Sequence, residues 1–212
     1  MGFHKVFFLL TTSLILLGSC SKKEPYLKVG LVADPQYADK PISGKMHYRE
    51  TLWKLEEAID TFNYHNIDFV QNLGDVIDVN WESFDAVLPI YDKLKPRIEN
   101  YQLLGNHEFS IDSTYFKDIL KRMSMPDYYY SYSKKGWKFI VLDATDYSYY
   151  SNALHDHKMK EIDLLFDKTK GQTNSYRWNS AIGTAQQKWL KQELDVARSQ
   201  NQKVILFSHM PL

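Results

Sequence analysis

Four short polar motifs stand along the chain, and each follows an apolar run of the length and composition of a β-strand. In chain order they are Asp34-Pro35-Gln36, Gly74-Asp75-Val76-Ile77-Asp78, Gly105-Asn106-His107-Glu108 and Ser208-His209-Met210-Pro211. In open α/β sheets, ligands gather beyond the carboxyl ends of the strands. The order of these motifs therefore predicts a fold in which strands from distant parts of the chain bring polar groups to one edge.

Strand-like runs alternate with helical periodicity along the chain. The predicted strands are 28–33, 68–73, 101–104, 128–133, 137–142 and 204–207. The predicted helices are 48–65, 81–94 before Pro96, a modest stretch at 159–166 and a longer one from Thr184. The strands at 128–133 and 137–142 flank Lys134-Lys135-Gly136, which predicts a hairpin. The alternation favours an α/β fold with a mostly parallel inner sheet and helices outside.

The last predicted helix begins at Thr184, because Thr184 and Gln187 have the spacing of a capping box. Its inward-facing side chains are expected to be Trp189, Leu190, Leu194 and Ala197. The preceding segment, 146–183, is long and polar with many aromatic residues, and such loops are often functional.

The composition excludes some classes of partner. The 26 basic and 26 acidic residues balance to a formal net charge of zero, and no Lys/Arg run resembles a nucleic-acid patch. At 212 residues the chain is long enough for one domain with a sizeable core. Its 15% aromatic content is attributed mainly to packing.

The first 27 residues are interpreted as a targeting segment and a tether. Lys5 precedes an apolar region, 6–17, that is short for a membrane span and runs into Leu17-Gly18-Ser19-Cys20. This pattern looks like a bacterial lipobox, so we expect a signal peptide at 1–19, lipidation at Cys20, a tether at 20–27 and a domain at 28–212. The expected location is the bacterial cell envelope, anchored to a membrane through the lipid. The alternative is an ordinary signal peptide with an incidental cysteine. Because Cys20 is the only cysteine, no disulfide is possible within the chain.

The strand-end motifs contain ligands suited to a pair of divalent metal ions. Asp34 and Asp75 end successive strands, and a carboxylate that bridges two cations is usual in two-metal hydrolases. Asn106 offers an amide oxygen and His209 an imidazole, a set that suits manganese, iron or zinc better than calcium. Such metals would polarise a phosphoryl oxygen and supply hydroxide from bound water at neutral pH. A hydrolase is therefore predicted.

Two further residues are candidates for catalysis. His107 could protonate the leaving oxygen or stabilise charge on the transferring phosphoryl group. Asp78 could orient His107 or support the metal ligands. By contrast, Asp143 is interpreted as structural, since an aspartate after a strand is more often a turn or cap residue. His155 and His157 are interpreted as surface or packing residues.

The motifs together resemble the calcineurin-like metallophosphoesterase superfamily, whose signature is D-x-H, G-D-x-x-D, G-N-H-[DE], a further H and a final G-H-x-H. Gln36 stands where most members have the histidine of the first motif. This departure, within Asp34-Pro35-Gln36-Tyr37-Ala38-Asp39, is similar to the manganese-dependent ADP-ribose/CDP-alcohol diphosphatases. The resemblance covers 28–212 and implies a β-sandwich flanked by helices (αββα).

The resemblance also implies roles for individual residues. Asp34 and Gln36 would hold one metal, Asp75 would bridge, and Asn106 and His209 would hold the other. His107, supported by Asp78, would act in the transition state. The implied substrates are nucleoside diphosphate derivatives such as ADP-ribose, CDP-choline or CDP-glycerol, and the implied cofactor is manganese. Candidate rings for stacking on the base are Tyr37, Tyr176 and Trp178.

The final G-H-x-H of the superfamily is absent from the sequence, which ends at Leu212. We therefore expect a C-terminally incomplete domain that by itself is weakly active or inactive. Two alternatives to the diphosphatase remain open at this stage. One is a phosphomonoesterase of the same superfamily, and the other is an inactive lipoprotein that binds nucleotides.

Overall fold

The computed structural model describes residues 26–152 and 156–211. Within them the chain forms six strands, five α-helices and two short 3-10 helices at His107–Phe109 and Ser113–Asp118. In chain order the strands and α-helices are β1 (Val29–Val32), α1 (Thr51–His65), β2 (Phe69–Asn72), α2 (Ser83–Tyr91), β3 (Glu99–Tyr101), α3 (Ile119–Arg122), β4 (Tyr130–Lys134), β5 (Trp137–Val141), α4 (Asp156–Thr169), α5 (Thr184–Ser199) and β6 (Lys203–Phe207).

The strands form two small sheets rather than the single mostly parallel sheet expected from their alternation with helices. The first sheet is parallel, in the order β1-β2-β3. The second has the order β4-β5-β6, with β4 antiparallel and β6 parallel to β5. Alternation predicts parallel neighbours, but it does not decide which strands share a sheet.

The two sheets pack face to face through aromatic side chains. The ring of Phe69 in β2 lies 4.9 Å from that of Phe139 in β5, edge to face. Phe139 in turn stacks on Phe207 of β6. A second core joins the other face of the first sheet to α1 and α2, with Ile59, Val70 and Phe84 fully buried. The result is a mixed α/β fold built on a two-sheet sandwich, as the resemblance implied.

The hairpin between β4 and β5 is confirmed. Lys135 and Gly136 both have positive φ, 49° and 80°, as a two-residue type I′ turn requires. The third strand lies earlier than predicted and ends at Tyr101. Beyond it the backbone N–H of Gln102 donates to the Tyr130 hydroxyl at 3.2 Å instead of continuing the ladder.

Two expectations for the last helix are wrong. The N-cap of α5 is Gly183, which has no side chain to close a capping box. The backbone N–H of Gly183 donates instead to Asp146 Oδ2 at 2.8 Å, while Gln187 Nε2 donates to the Ile182 carbonyl. Leu194 is exposed, at 38% of its surface, because the helix turns Gln186 and Ala197 toward the sheet.

Candidate metal centre

The loops after β1 and β2 run side by side and extend the pairing of those strands. The backbone N–H groups of Asp34 and Gln36 donate to the carbonyls of Gly74 and Asp75, at 3.3 and 2.8 Å. The Tyr37 N–H donates to the Val76 carbonyl at 3.1 Å. These bonds place the first and second motifs in contact at the carboxyl edge of the first sheet.

The backbone at this edge adopts an uncommon conformation. Asp34, Gln36 and Asp75 have φ values of 50°, 46° and 53°, in the left-handed region that non-glycine residues rarely occupy. Such strain is found most often where side chains are held for function.

Three of the five predicted metal ligands converge. One donor atom from each of Asp34, Asp75 and His209 lies within 4.8 Å of the other two. Nε2 of His209 is 3.4 Å from Asp75 Oδ2. The other ring nitrogen, Nδ1, donates to the Leu73 carbonyl at 2.7 Å and so fixes the ring orientation. Asp75 is buried, whereas Asp34 is exposed to solvent.

The charges in this cluster favour a cation. Although Asp34 as a residue is exposed, partial burial of its carboxyl group raises its pKa, while the charge of His209 lowers it and that of Asp75 raises it. Burial also opposes ionisation of Asp75, but its hydrogen bond with His209, the charge of His209 and the interactions with His107 together outweigh burial and lower the Asp75 pKa. Burial disfavours the charged form of His209, yet Asp75 raises the His209 pKa to about 9. Two carboxylates thus face a protonated imidazole, and a divalent ion that displaced this proton would find oxygen and imidazole donors here.

The remaining two predicted ligands border the cluster. Gln36 Nε2 donates to Asp75 Oδ2 at 3.1 Å, which places the side-chain amide of Gln36 beside the cluster. Asn106 precedes the 3-10 helix at His107–Phe109, and its backbone carbonyl accepts from the Phe109 N–H. The next residue contacts the cluster, since the His107 N–H donates to Asp75 Oδ1 at 2.9 Å, so the backbone at Asn106 lies beside it.

His107 lies next to this cluster and contacts Asp78. Its Nδ1 is 2.9 Å from the Asp78 carbonyl and 3.4 Å from Asp78 Oδ1. Its Nε2 faces Asp75 Oδ2 at 4.0 Å. The Asp78 contacts hold one ring nitrogen, which leaves the other directed toward the carboxylate cluster.

Two residues that sequence reasoning did not assign also shape the centre. The fully buried Glu108 carboxylate accepts hydrogen bonds from the backbone N–H groups of Asp75, Val76 and Gly105, at 3.0, 2.6 and 2.6 Å. It therefore joins the second and third motifs. Lys40 forms an ion pair with Asp78, and its Nζ lies 4.0 Å from the centre of the Tyr48 ring. The acidic residue of the third motif pointed to Glu108, but no local pattern pointed to Lys40.

The candidate stacking rings lie in different environments. Tyr37 is buried in the core around α1 and α2. Tyr176 and Trp178 are exposed and stack on each other, with ring centres 4.4 Å apart. Cys20 and the predicted signal segment lie outside the described residues.

A two-sheet α/β fold with carboxylate, imidazole and amide donors at one strand edge defines a metal-dependent hydrolase. The chain belongs to the calcineurin-like phosphoesterase family, whose model matches residues 27–212. The members of this family that it resembles include manganese-dependent enzymes, which supports a requirement for divalent metal.

Characterised relatives cover most of the chain. A manganese-dependent ADP-ribose/CDP-alcohol diphosphatase from Oryza sativa subsp. japonica is 31% identical over 222 residues, which span 91% of this chain and 68% of that protein. The Arabidopsis thaliana protein of the same name is 26% identical over 225 residues, 92% of this chain and 71% of that protein. The crystal structure of a dimetal phosphatase from Danio rerio matches this chain with a TM-score of 0.71 at 23% identity. The match covers 88% of this chain and 70% of the Danio rerio chain and shows that the two proteins share a fold.

The predicted location in a bacterial cell envelope is wrong. The relatives come from plants and animals, including Oryza sativa, Arabidopsis thaliana, Mus musculus and Homo sapiens. Between residues 26 and 211, excluding 153–155, no helix is both long enough and apolar enough to cross a membrane. The expected lipid anchor has no support in these findings.

Proposed function

We propose that the chain hydrolyses the phosphoanhydride bond of nucleoside diphosphate derivatives, such as ADP-ribose and CDP-alcohols, with manganese as its cofactor. The names of the relatives support this substrate class. Turned so that its amide oxygen faces a metal, Gln36 would be a harder ligand than an imidazole and would suit manganese better than zinc, whereas in this structure its Nε2 faces Asp75 Oδ2.

The convergence of Asp34, Asp75 and His209 within 4.8 Å is the observation that carries the proposal. Asp34 and Gln36 would hold one ion, Asn106 and His209 the other, and Asp75 would lie between them. When bound, divalent metals polarise a phosphoryl oxygen and lower the pKa of a water molecule to near neutrality.

The residues of the chain supply orientation and a proton. Asp75 is held by the His107 N–H, which donates to Oδ1 at 2.9 Å, so its Oδ2 is directed toward His209. The contacts of Asp78 with Nδ1 of His107 fix that ring. Nε2 of His107, on the side of the cluster, would give its proton to the leaving phosphate oxygen.

Product analysis with Mn²⁺ tests the proposal. The substrates would be ADP-ribose, CDP-choline and p-nitrophenyl phosphate. AMP and CMP are expected at a low rate, and they should disappear in Asp75→Asn. The matched control is Asp195→Asn, since Asp195 is an exposed carboxylate that pairs with Lys191 on α5. Release of p-nitrophenol without AMP or CMP would instead identify a phosphomonoesterase, and nucleotide binding without product would identify a binding protein.

A further inference from the structure

A cleft of about 840 Å³ opens along the carboxyl edge of the second sheet. Its walls include Phe109, two residues after His107, and Asp143, which follows β5. The wall beyond them is formed by Tyr128, Tyr147 and Lys158. This volume is within the range of small-molecule sites.

The order of the strands places this cleft beside the proposed metal centre. Val141 of β5 pairs with Phe207 of β6 and with Tyr130 of β4. When the pairing is continued two residues beyond the strands, Asp143 falls in register with His209 on one side and with Tyr128 on the other. Neighbouring strands are about 5 Å apart, so the cleft begins roughly one strand away from the metal ligands.

Asp143 is a buried polar group in the wall of the cleft. Its side chain is buried, with 7% of the residue surface exposed. Oδ1 accepts two hydrogen bonds, from the N–H and the hydroxyl of Thr145, at 2.8 and 2.7 Å. Within the described residues no donor contacts Oδ2. Asp143 lines the cleft, so this oxygen can accept a hydrogen bond from a ligand there.

The wall around Asp143 is held in place by a polar network. Gln186 of α5 donates to the Asp143 carbonyl at 3.0 Å, and the Asp143 N–H donates to Gln186 Oε1 at 3.0 Å. Asp146 Oδ1 accepts a hydrogen bond from Lys158 Nζ at 2.9 Å, so the positive charge of Lys158 is paired with Asp146. Asp143 is therefore fixed in position without an ion pair of its own.

We propose that this cleft binds the hydroxyl-bearing alcohol part of the substrate, such as glycerol or ribose, with Asp143 as the acceptor for a substrate hydroxyl. The proposal rests on the function proposed above, because the alcohol must extend from a pyrophosphate at the metal centre. Hydroxyl groups donate hydrogen bonds, whereas the quaternary ammonium of choline does not. The aromatic rings of Tyr128 and Tyr147 provide apolar surface for the carbon skeleton.

CDP-glycerol and CDP-choline form a matched pair of substrates, because they differ only in the alcohol. Asp143→Ala is expected to lower kcat/KM for CDP-glycerol by about 10- to 100-fold relative to CDP-choline, as loss of a hydrogen bond to a charged group does. Asp143→Asn keeps an oxygen for Thr145 and should lower the same ratio by about 5-fold. Asp195→Asn, which changes an exposed carboxylate on α5 outside the cleft, should leave the ratio unchanged.

The ratio separates recognition from folding. A variant that is only less well folded has a lower kcat/KM for both substrates by the same factor. An unchanged ratio of the two kcat/KM values in both Asp143 variants would overturn the proposal. If the wild-type chain with Mn²⁺ hydrolyses neither substrate, the diphosphatase proposal fails by itself. Calorimetry with glycerol 3-phosphate then decides the cleft proposal. Binding that Asp143→Ala weakens at least 5-fold would support it, and equal binding by both proteins would refute it.

Discussion

Replacing Gly74 by alanine tests whether close backbone packing holds the metal centre together. Gly74 has φ of +90°, and a Cβ at this position would lie 2.6 Å from the Gly105 nitrogen and 2.8 Å from Nδ1 of His209. Gly136 provides a matched control. It has a similar φ, +80°, but a Cβ there would have no atom within 4 Å.

Both substitutions lower the free energy of unfolding through backbone strain, and only Gly74→Ala lowers it further through overpacking. Placing an L residue in the left-handed region costs roughly 1–2 kcal/mol in both variants. In Gly74→Ala the new methyl group must also push the backbone at Gly105 or the ring of His209 aside, and such overpacking costs about 1–3 kcal/mol. For a chain of this size, the extra cost corresponds to a further decrease in Tm of about 2–12 °C.

Thermal unfolding with and without Mn²⁺ measures both effects. Ligand at about 100 times its Kd stabilises a protein by about 2.7 kcal/mol, so Mn²⁺ should raise the Tm of the wild type and of Gly136→Ala. This shift should be lost in Gly74→Ala, because His209 is displaced. Equal Tm values for the two variants, with equal shifts on addition of Mn²⁺, would show that packing at Gly74 does not position the centre.

Three further substitutions have expected outcomes. Glu108→Ala leaves three buried N–H groups without an acceptor and should lower the free energy of unfolding by about 3–5 kcal/mol, measured in urea. Burial raises the pKa of Asp143 to about 6 from 3.8, so the stability from its protonated form is present below pH 4 and lost as pH rises through 6. Relative to wild type, Asp143→Asn should therefore gain roughly 3 kcal/mol between pH 4 and pH 7, and chemical unfolding at both pH values checks this. Lys40→Met removes the cation paired with Asp78 and should lower kcat by about 3- to 10-fold with KM unchanged, and Lys40→Arg should restore it, as steady-state kinetics would show.

Local patterns in the sequence predicted most of the secondary structure. The hairpin turn at Lys135 and Gly136 was predictable because a two-residue turn needs residues that accept positive φ. The start of α5 was placed correctly at Thr184, yet its cap was not, because Gly183 is satisfied by Asp146 from 37 residues away. A capping pattern describes only neighbouring residues, so it cannot report a long-range acceptor.

The sequence by itself determined which residues end the strands and which chemistry they offer. Asp34, Asp75 and His209 were selected as candidate ligands by this argument, and the fold brings them within 4.8 Å. Their roles as ligands remain a proposal.

Only the tertiary structure decided which groups are neighbours across the fold. Glu108 joins two loops through backbone N–H groups, and the strand that leads to Asp143 pairs with the strand that leads to His209 because β5 and β6 are adjacent in the second sheet. Strand pairing over more than 60 residues depends on how apolar faces pack, and periodicity records only which faces are apolar. The composition of the metal site could therefore be predicted from sequence, whereas the cleft beside it could be found only in the folded chain.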